Sequence, residues 1–152
     1  MDAEIGSIMG YCYKLLPIKV YTKRIPQDFE IPSIYFPKPF FTESNFTLDS
    51  FNKTYNLQVM VIYPTVEESV DKAEHLMNRM LADKKYIPLL NEDGSPTNSY
   101  IKINRIEVRE GDNFATLSLI WDSQYKYGWY EGKDVNEEKM LKFFLDGVIK
   151  NG

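Results

Sequence analysis

The chain contains one histidine, His75, and one cysteine, Cys12. These two residues limit the chemistry open to it. His75 sits in a helical pattern with no Ser, Cys or carboxylate constellation spaced to work with it. As a catalytic base it would need a loop carboxylate as partner, giving a small hydrolase. The competing reading is a surface or packing histidine. Cys12 falls on an apolar stripe and reads as a small buried hydrophobe. One His and one Cys do not make a transition-metal set, and a lone cysteine forms no internal disulfide. Gly94 and Gly111 are isolated turn glycines, not the spaced set that cradles a phosphate. The expectation is therefore no catalytic residue, no metal and no cofactor. The remaining titratable clusters are acidic: Glu92 and Asp93 in one turn, and Glu107, Glu110 and Asp112 around another. Loop carboxylates are most simply solvated. The alternative is an acidic face that meets a basic partner, or that lines a pore through which a polyanion slides without sticking.

The elements that would position these groups are clear in places. Tyr55, Leu57, Val59, Val61 and Tyr63 share one face and Thr54, Asn56 and Gln58 the other, which predicts a half-buried strand over Thr54–Tyr63. Pro64 stops it. Thr65-Val66-Glu67-Glu68 has the form of a capping box, and Val66, Val70, Ala73, Met77, Met80 and Leu81 draw one apolar helical stripe. An N-terminal helix carries Ile5, Ile8, Met9, Cys12, Leu15 and Leu16 on one side and ends at Pro17. Gly6 and Gly10, one turn apart, weaken it but allow close backbone approach. Short strands are expected at Ile18–Thr22, Ser33–Phe36 and Tyr86–Leu90. Tyr100–Val108 alternates with a slip that a bulge near Asn104-Arg105 would repair. A hairpin loop at Glu110–Asn113 leads to a strand bearing Ala115, Leu117, Leu119 and Trp121. Asp134-Val135-Asn136-Glu137 opens a closing helix with Met140, Leu141, Phe144, Leu145, Val148 and Ile149. The predicted class is α+β: a mainly antiparallel sheet with helices packed on one face, N- and C-terminal helices flanking a central strand-helix unit.

At 152 residues one domain spanning 1–152 is expected, with a Pro-rich and polar loop region over about 23–52. Within it, 42–52 reads as a long loop ordered by neighbouring chains. Net charge is −4 without a block of Lys or Arg, which argues against tight binding to a nucleic-acid backbone. No apolar run reaches membrane-spanning length, and the acidic Met1-Asp2-Ala3-Glu4 start is unlike a secretory signal. The aromatic content of 14% is high. Phe40, Phe41, Phe46 and Phe51, with Tyr125, Tyr127, Trp129 and Tyr130, lie outside the cleanest periodic segments. They either fold back on the sheet as core or form subunit contacts.

The order of parts also carries a resemblance. Val20-Tyr21 is followed by Ile25-Pro26-Gln27-Asp28-Phe29, then Pro32-Ser33-Ile34-Tyr35-Phe36. The long strand ending at Tyr63 comes next, then Ala73-Glu74 and Leu76 in the helix, Ile87-Pro88-Leu89, the Asp93-Gly94 turn and Leu119-Ile120-Trp121-Asp122. This pattern resembles the tail terminator proteins of long-tailed phages and phage-tail-like particles. The resemblance implies a non-enzymatic virion protein, assembled in the bacterial host cytoplasm, that forms a homo-hexameric ring on the last layer of the tail tube. Such a ring ends growth of the tube, and of the sheath in a contractile or bacteriocin-like particle. It gives the head-side connector a docking surface while DNA passes through. No membrane partner is implied. A neck or head–tail connector subunit is the alternative, and a hydrolase using His75 a further one. On the ring reading, the eight aromatics above are candidate interface residues, and the five carboxylates are candidates for the lumen or the tube-facing side.

Overall fold

The structure, a computed structural model, describes residues 2–46, 50–126 and 144–145. Helix α1 spans Asp2–Leu15. Strands β1 (Lys19–Thr22), β2 (Ser33–Phe36), β3 (Phe40–Phe46) and β4 (Ser50–Ile62) follow. Helix α2 is Val66–Ala82, and strands β5 (Tyr86–Leu90), β6 (Pro96–Glu110) and β7 (Ala115–Lys126) complete the described order. The strands run β1-β2-β4-β7-β6-β5 across one sheet, with β3 also on β4. Among the described strands only β1 and β2 pair in parallel; the other ladders are antiparallel. The α+β class expected from the sequence is what the chain adopts.

Period two decides which face of the sheet is dry. Tyr55, Leu57, Val59 and Val61 of β4 stand opposite Trp121, Leu119, Leu117 and Ala115 of β7, and all eight are buried. Ile5, Ile8, Met9 and Cys12 of α1 and Ala73, Leu76 and Met80 of α2 close over that face in one continuous core. The α2 stripe is turned slightly from the expected one: Ser69 and Leu76 are inside, whereas Leu81 is 46% exposed at the rim. Thr65 caps α2 as expected, its hydroxyl accepting from the Glu68 N–H at 3.2 Å. Buried Ser69 joins the helix start to the end of β4, donating to the Thr65 carbonyl at 3.0 Å and accepting from the Tyr63 N–H at 2.9 Å.

The expected bulge in β6 is present. Ile103 pairs with Trp121 and Arg105 with Ile120, so Asn104 is the extra residue. That insertion returns Ile106 and Val108 to the same side as Ile101 and Ile103. At Gly10 the close neighbour is a side chain, not the backbone expected from the sequence. A Cβ there would lie 2.5 Å from Cε2 of Phe144, so the missing side chain makes room for that ring. Phe144 and Leu145 are helical, and the rest of the expected closing helix lies outside the described residues.

The expectation of a loop over 42–52 is corrected. Residues 40–46 and 50–52 are strand, forming a hairpin whose register runs from Phe40 opposite Asn56 to Phe46 opposite Phe51. The sequence disguises it because Thr42, Glu43, Ser44 and Asn52 are polar. In a narrow strip of sheet, backbone pairing substitutes for apolar alternation.

Candidate subunit interface

β4 and β7 pair along their whole length, from Val61 opposite Ala115 to Ser50 opposite Lys126. β6 accompanies β7 only as far as Trp121, so beyond that point the sheet narrows to the strip β3-β4-β7. Register aligns aromatic positions across this arm: Phe41, Tyr55 and Trp121 in one row and, beyond the rows of Thr54, Lys53 and Asn52, Phe46, Phe51 and Tyr125 in another. In the inner row, Tyr55 stacks on Trp121 with centroids 5.3 Å apart, and Phe41 lies 5.5 Å from Tyr55. Burial changes sharply along the row. Trp121 is fully enclosed, Tyr55 is 1% exposed, and Phe41 is 46% exposed beneath the ammonium of Lys53, 4.9 Å from its ring centre. Phe40 is 58% exposed. Half-buried Glu4 of α1 sits against the base of the arm. Burial pushes its carboxyl above the usual range, partly offset by a hydrogen bond with Ser123.

Because β7 occupies one edge of β4, both β2 and β3 must lie on the other. They form one strand interrupted by Pro37-Lys38-Pro39, since proline donates no ladder hydrogen bond. β1 flanks β2 but not β3, so the sheet edge has a step at that interruption. At the step is a cavity of about 190 Å³, floored by Ile5, Met9 and Phe36 and flanked by Lys23 and Lys38. Among the described residues no strand pairs with the outer edge of β3. The opposite end of the sheet is guarded: Ser7 of α1 accepts from the Leu90 N–H of β5 at 3.0 Å. Unguarded strand edges invite pairing with another chain.

Two further apolar surfaces are exposed. Tyr86 and Tyr100 meet edge to face at 6.0 Å on the outward side of β5 and β6, with Lys102 over Tyr86. Period-two arithmetic could have found this pair, since Ile87 and Ile101 point inward beside them. On the sheet face away from the helices, the segment between β1 and β2 lies over Met60, Ile62 and Phe114. It leaves a groove of about 460 Å³ edged by Ile25, Phe29 and Ile31.

The sequence-selected residues are not all brought together. Phe40 and Phe41 lie on the arm with side chains exposed. Phe46, Phe51 and Tyr125 are placed there by backbone register alone, and Tyr127, Trp129 and Tyr130 lie outside the described residues. The five carboxylates separate towards the two ends of β6, a 15-residue strand, with Glu92 and Asp93 before it and Glu107, Glu110 and Asp112 at its far end. Asp93 accepts from the N–H and the hydroxyl of Ser95 at 2.9 and 2.6 Å, which closes the β5–β6 turn and holds its carboxyl below the usual range. Glu107 pairs with Arg109 at 2.7 Å. Glu110 and Asp112 are exposed at the β6–β7 turn. His75 is exposed on α2 beside Glu68, Asp71 and Lys72 in an open depression. Cys12 is fully buried, and burial pushes its thiol up to about 12. Among the described residues no group of His, Cys, Asp and Glu is arranged to hold a metal ion, and no helix is long and apolar enough to cross a membrane.

No protein-family model matches the chain. Two proteins of Bacillus subtilis strain 168 do. The uncharacterized protein YqbJ is 40% identical over 143 residues, covering 94% of this chain and 97% of YqbJ. The phage-like element PBSX protein XkdJ is 34% identical over 128 residues, covering 84% of this chain and 88% of XkdJ. A chain from the virion of a native gene transfer agent particle superposes with a TM-score of 0.46 at 11% identity, covering 76% of this chain and 84% of that one.

Proposed function

The chain belongs to the family of YqbJ and the PBSX phage-element protein XkdJ, and from that premise we propose that it is a structural virion protein that terminates a phage tail. The relationship to XkdJ carries this reading, because it extends over most of both chains and ties the fold to a phage-like element. The arm supports it physically. Exposed Phe40 and Phe41, beside a strand edge that no described strand pairs, suit contact with another subunit better than exposure to water.

In this role, copies of the single domain form a hexameric ring on the last layer of tube. The arm aromatics Phe40, Phe41, Phe46, Phe51 and Tyr125, together with Tyr127, Trp129 and Tyr130, supply subunit or tube contacts. The ring stops addition of tube protein, and of sheath protein where the tail is contractile, and presents a surface to the head-side connector. Solvent-facing carboxylates such as Glu110 and Asp112 keep DNA from adhering on its way through, because the phosphate backbone binds where basic groups neutralise it. The protein acts by shape and contact, without catalysis.

Light scattering coupled to size exclusion, alone and with the tube protein, tests this reading. A closed oligomer that caps tubes and limits their length is expected. A chain that stays monomeric and leaves tube length unchanged would refute it.

A further inference from the structure

We infer that Asp122 latches a fork in the sheet and so sets the direction of the arm. What the arm then contacts rests on the ring reading; the fork does not. As far as the pair Ile103–Trp121, β6 lies beside β7. Past that pair the two strands part. β6 keeps to β5, from Lys102 opposite Tyr86 to Pro96 opposite Leu90, and stays in the body of the domain. β7 keeps to β4, as far as Lys126 opposite Ser50, and becomes one side of the arm.

A chain of hydrogen bonds crosses the sheet at the point of parting. The Thr54 hydroxyl of β4 donates to one carboxylate oxygen of Asp122 at 2.6 Å. The side-chain amide of Asn104 in β6 donates to the other at 3.0 Å. The Asn104 carbonyl in turn accepts from the Lys85 ammonium at 3.2 Å, and the Lys85 carbonyl accepts from the Ile103 N–H at 2.8 Å. Asn104 is the extra residue of the β6 bulge. A bulge re-aims a side chain and ends a pairing. Here it brings the Asn104 amide onto a carboxylate one position past the last β6–β7 pair, a second use besides restoring the alternation of β6.

The two oxygens of Asp122 therefore join a strand of the arm to the strand that leaves it. They do so on the sheet face away from α1 and α2, since Tyr55 and Trp121 beside Thr54 and Asp122 face the core. Asn104 and Asp122 are exposed, so burial does not hold the fork on this side. Hydrogen bonds to an ionised acceptor are roughly twice as strong as neutral ones, which suits a carboxylate to the task. The next residue, Ser123, turns to the other face and hydrogen-bonds Glu4 of α1, so the base of the arm is tied from both sides. The arm presents exposed Phe40 and Phe41, and its angle to the body decides where those rings point.

Hydrogen exchange with a donor–acceptor swap tests the latch. Asp122→Ala should speed exchange of the amides over Phe41–Glu43 and Lys53–Tyr55 by roughly fivefold and leave Leu57–Val61 unchanged. Asn104→Asp sets carboxylate against carboxylate and should loosen the arm at least as much. Adding Asp122→Asn to it puts an amide opposite a carboxylate again and should return the arm to wild-type rates. A second measurement reads direction. Spin labels on Thr42→Cys in the arm and Glu74→Cys on α2 should give a broader distance distribution in Asp122→Ala and the wild-type width in the swapped pair; Cys12 is buried and takes no label. Exchange that rises equally over Leu57–Val61, an Asn104→Asp defect that Asp122→Asn does not relieve, or an unbroadened distribution in Asp122→Ala each overturns the latch. None of these readings needs a ring. A chain that stays monomeric yet shows them overturns the proposed function and leaves the latch standing.

Discussion

Gly10 gives the sharpest test of how α1 is packed, because two effects of opposite sign meet there. Replacing glycine with alanine inside a helix favours the helix by about 1 kcal/mol. At this position the added methyl would lie 2.5, 2.6 and 2.8 Å from three atoms of the Phe144 ring, closer than carbon atoms tolerate. The ring or the helix must move. Overpacking of this kind costs about 1–3 kcal/mol. Gly10→Ala should therefore be destabilising by up to about 2 kcal/mol net. Phe144 is only 6% exposed, so Phe144→Ala should cost about 3 kcal/mol by leaving a cavity. In that background the clash is gone and only the helix gain remains, so Gly10→Ala should become stabilising by about 1 kcal/mol. The sign reversal is the informative quantity, as it survives errors in either magnitude. Urea unfolding of the four proteins of the cycle at one fixed concentration measures it, provided the slopes with denaturant agree. If Gly10→Ala is equally stabilising with and without Phe144, the ring is not packed against Gly10.

Other outcomes are expected. Val59 is fully buried opposite Leu117, so Val59→Asp should leave the chain unfolded by circular dichroism; a folded, soluble variant would mean the buried face is misassigned. Ser69→Ala removes the acceptor of the Tyr63 N–H and should cost about 1–3 kcal/mol in denaturant unfolding; unchanged stability would mean this bond does not tie α2 to β4. Cys12, with its thiol raised by burial, should resist alkylation at pH 8 until the chain is unfolded, and rapid labelling of the folded protein would contradict the packing of α1. Because the unfolded thiol loses its proton first, near the ordinary thiol value of 9.0, its contribution to stability should fall as pH rises from there towards about 12, where the folded thiol also ionises. A Cys12→Ser comparison over that range isolates this slope.

The sequence by itself determined the parts whose local pattern and burial agree. Alternation over Tyr55–Val61 and Ala115–Trp121 names the dry face, because side chains at every second position share one side of a strand. The Thr65 cap and the bulge near Asn104 were equally legible, since each is dictated by neighbours in the chain; that Gly10 makes room for a ring and not for a backbone was not. The arm was not. Phe40–Phe46 and Ser50–Asn52 pair with partners chosen by tertiary register, and strand pairing satisfies the backbone whatever the side chains. Nor could the sequence show that Tyr55 and Trp121 are enclosed while Phe41, in the same row, is open to solvent. That depends on how far the helices reach over the sheet. The step beside β3 is also a product of the fold alone. It exists because β1 stops short of a strand that Pro37 and Pro39 divide, and no local signal records where one edge strand ends beside another.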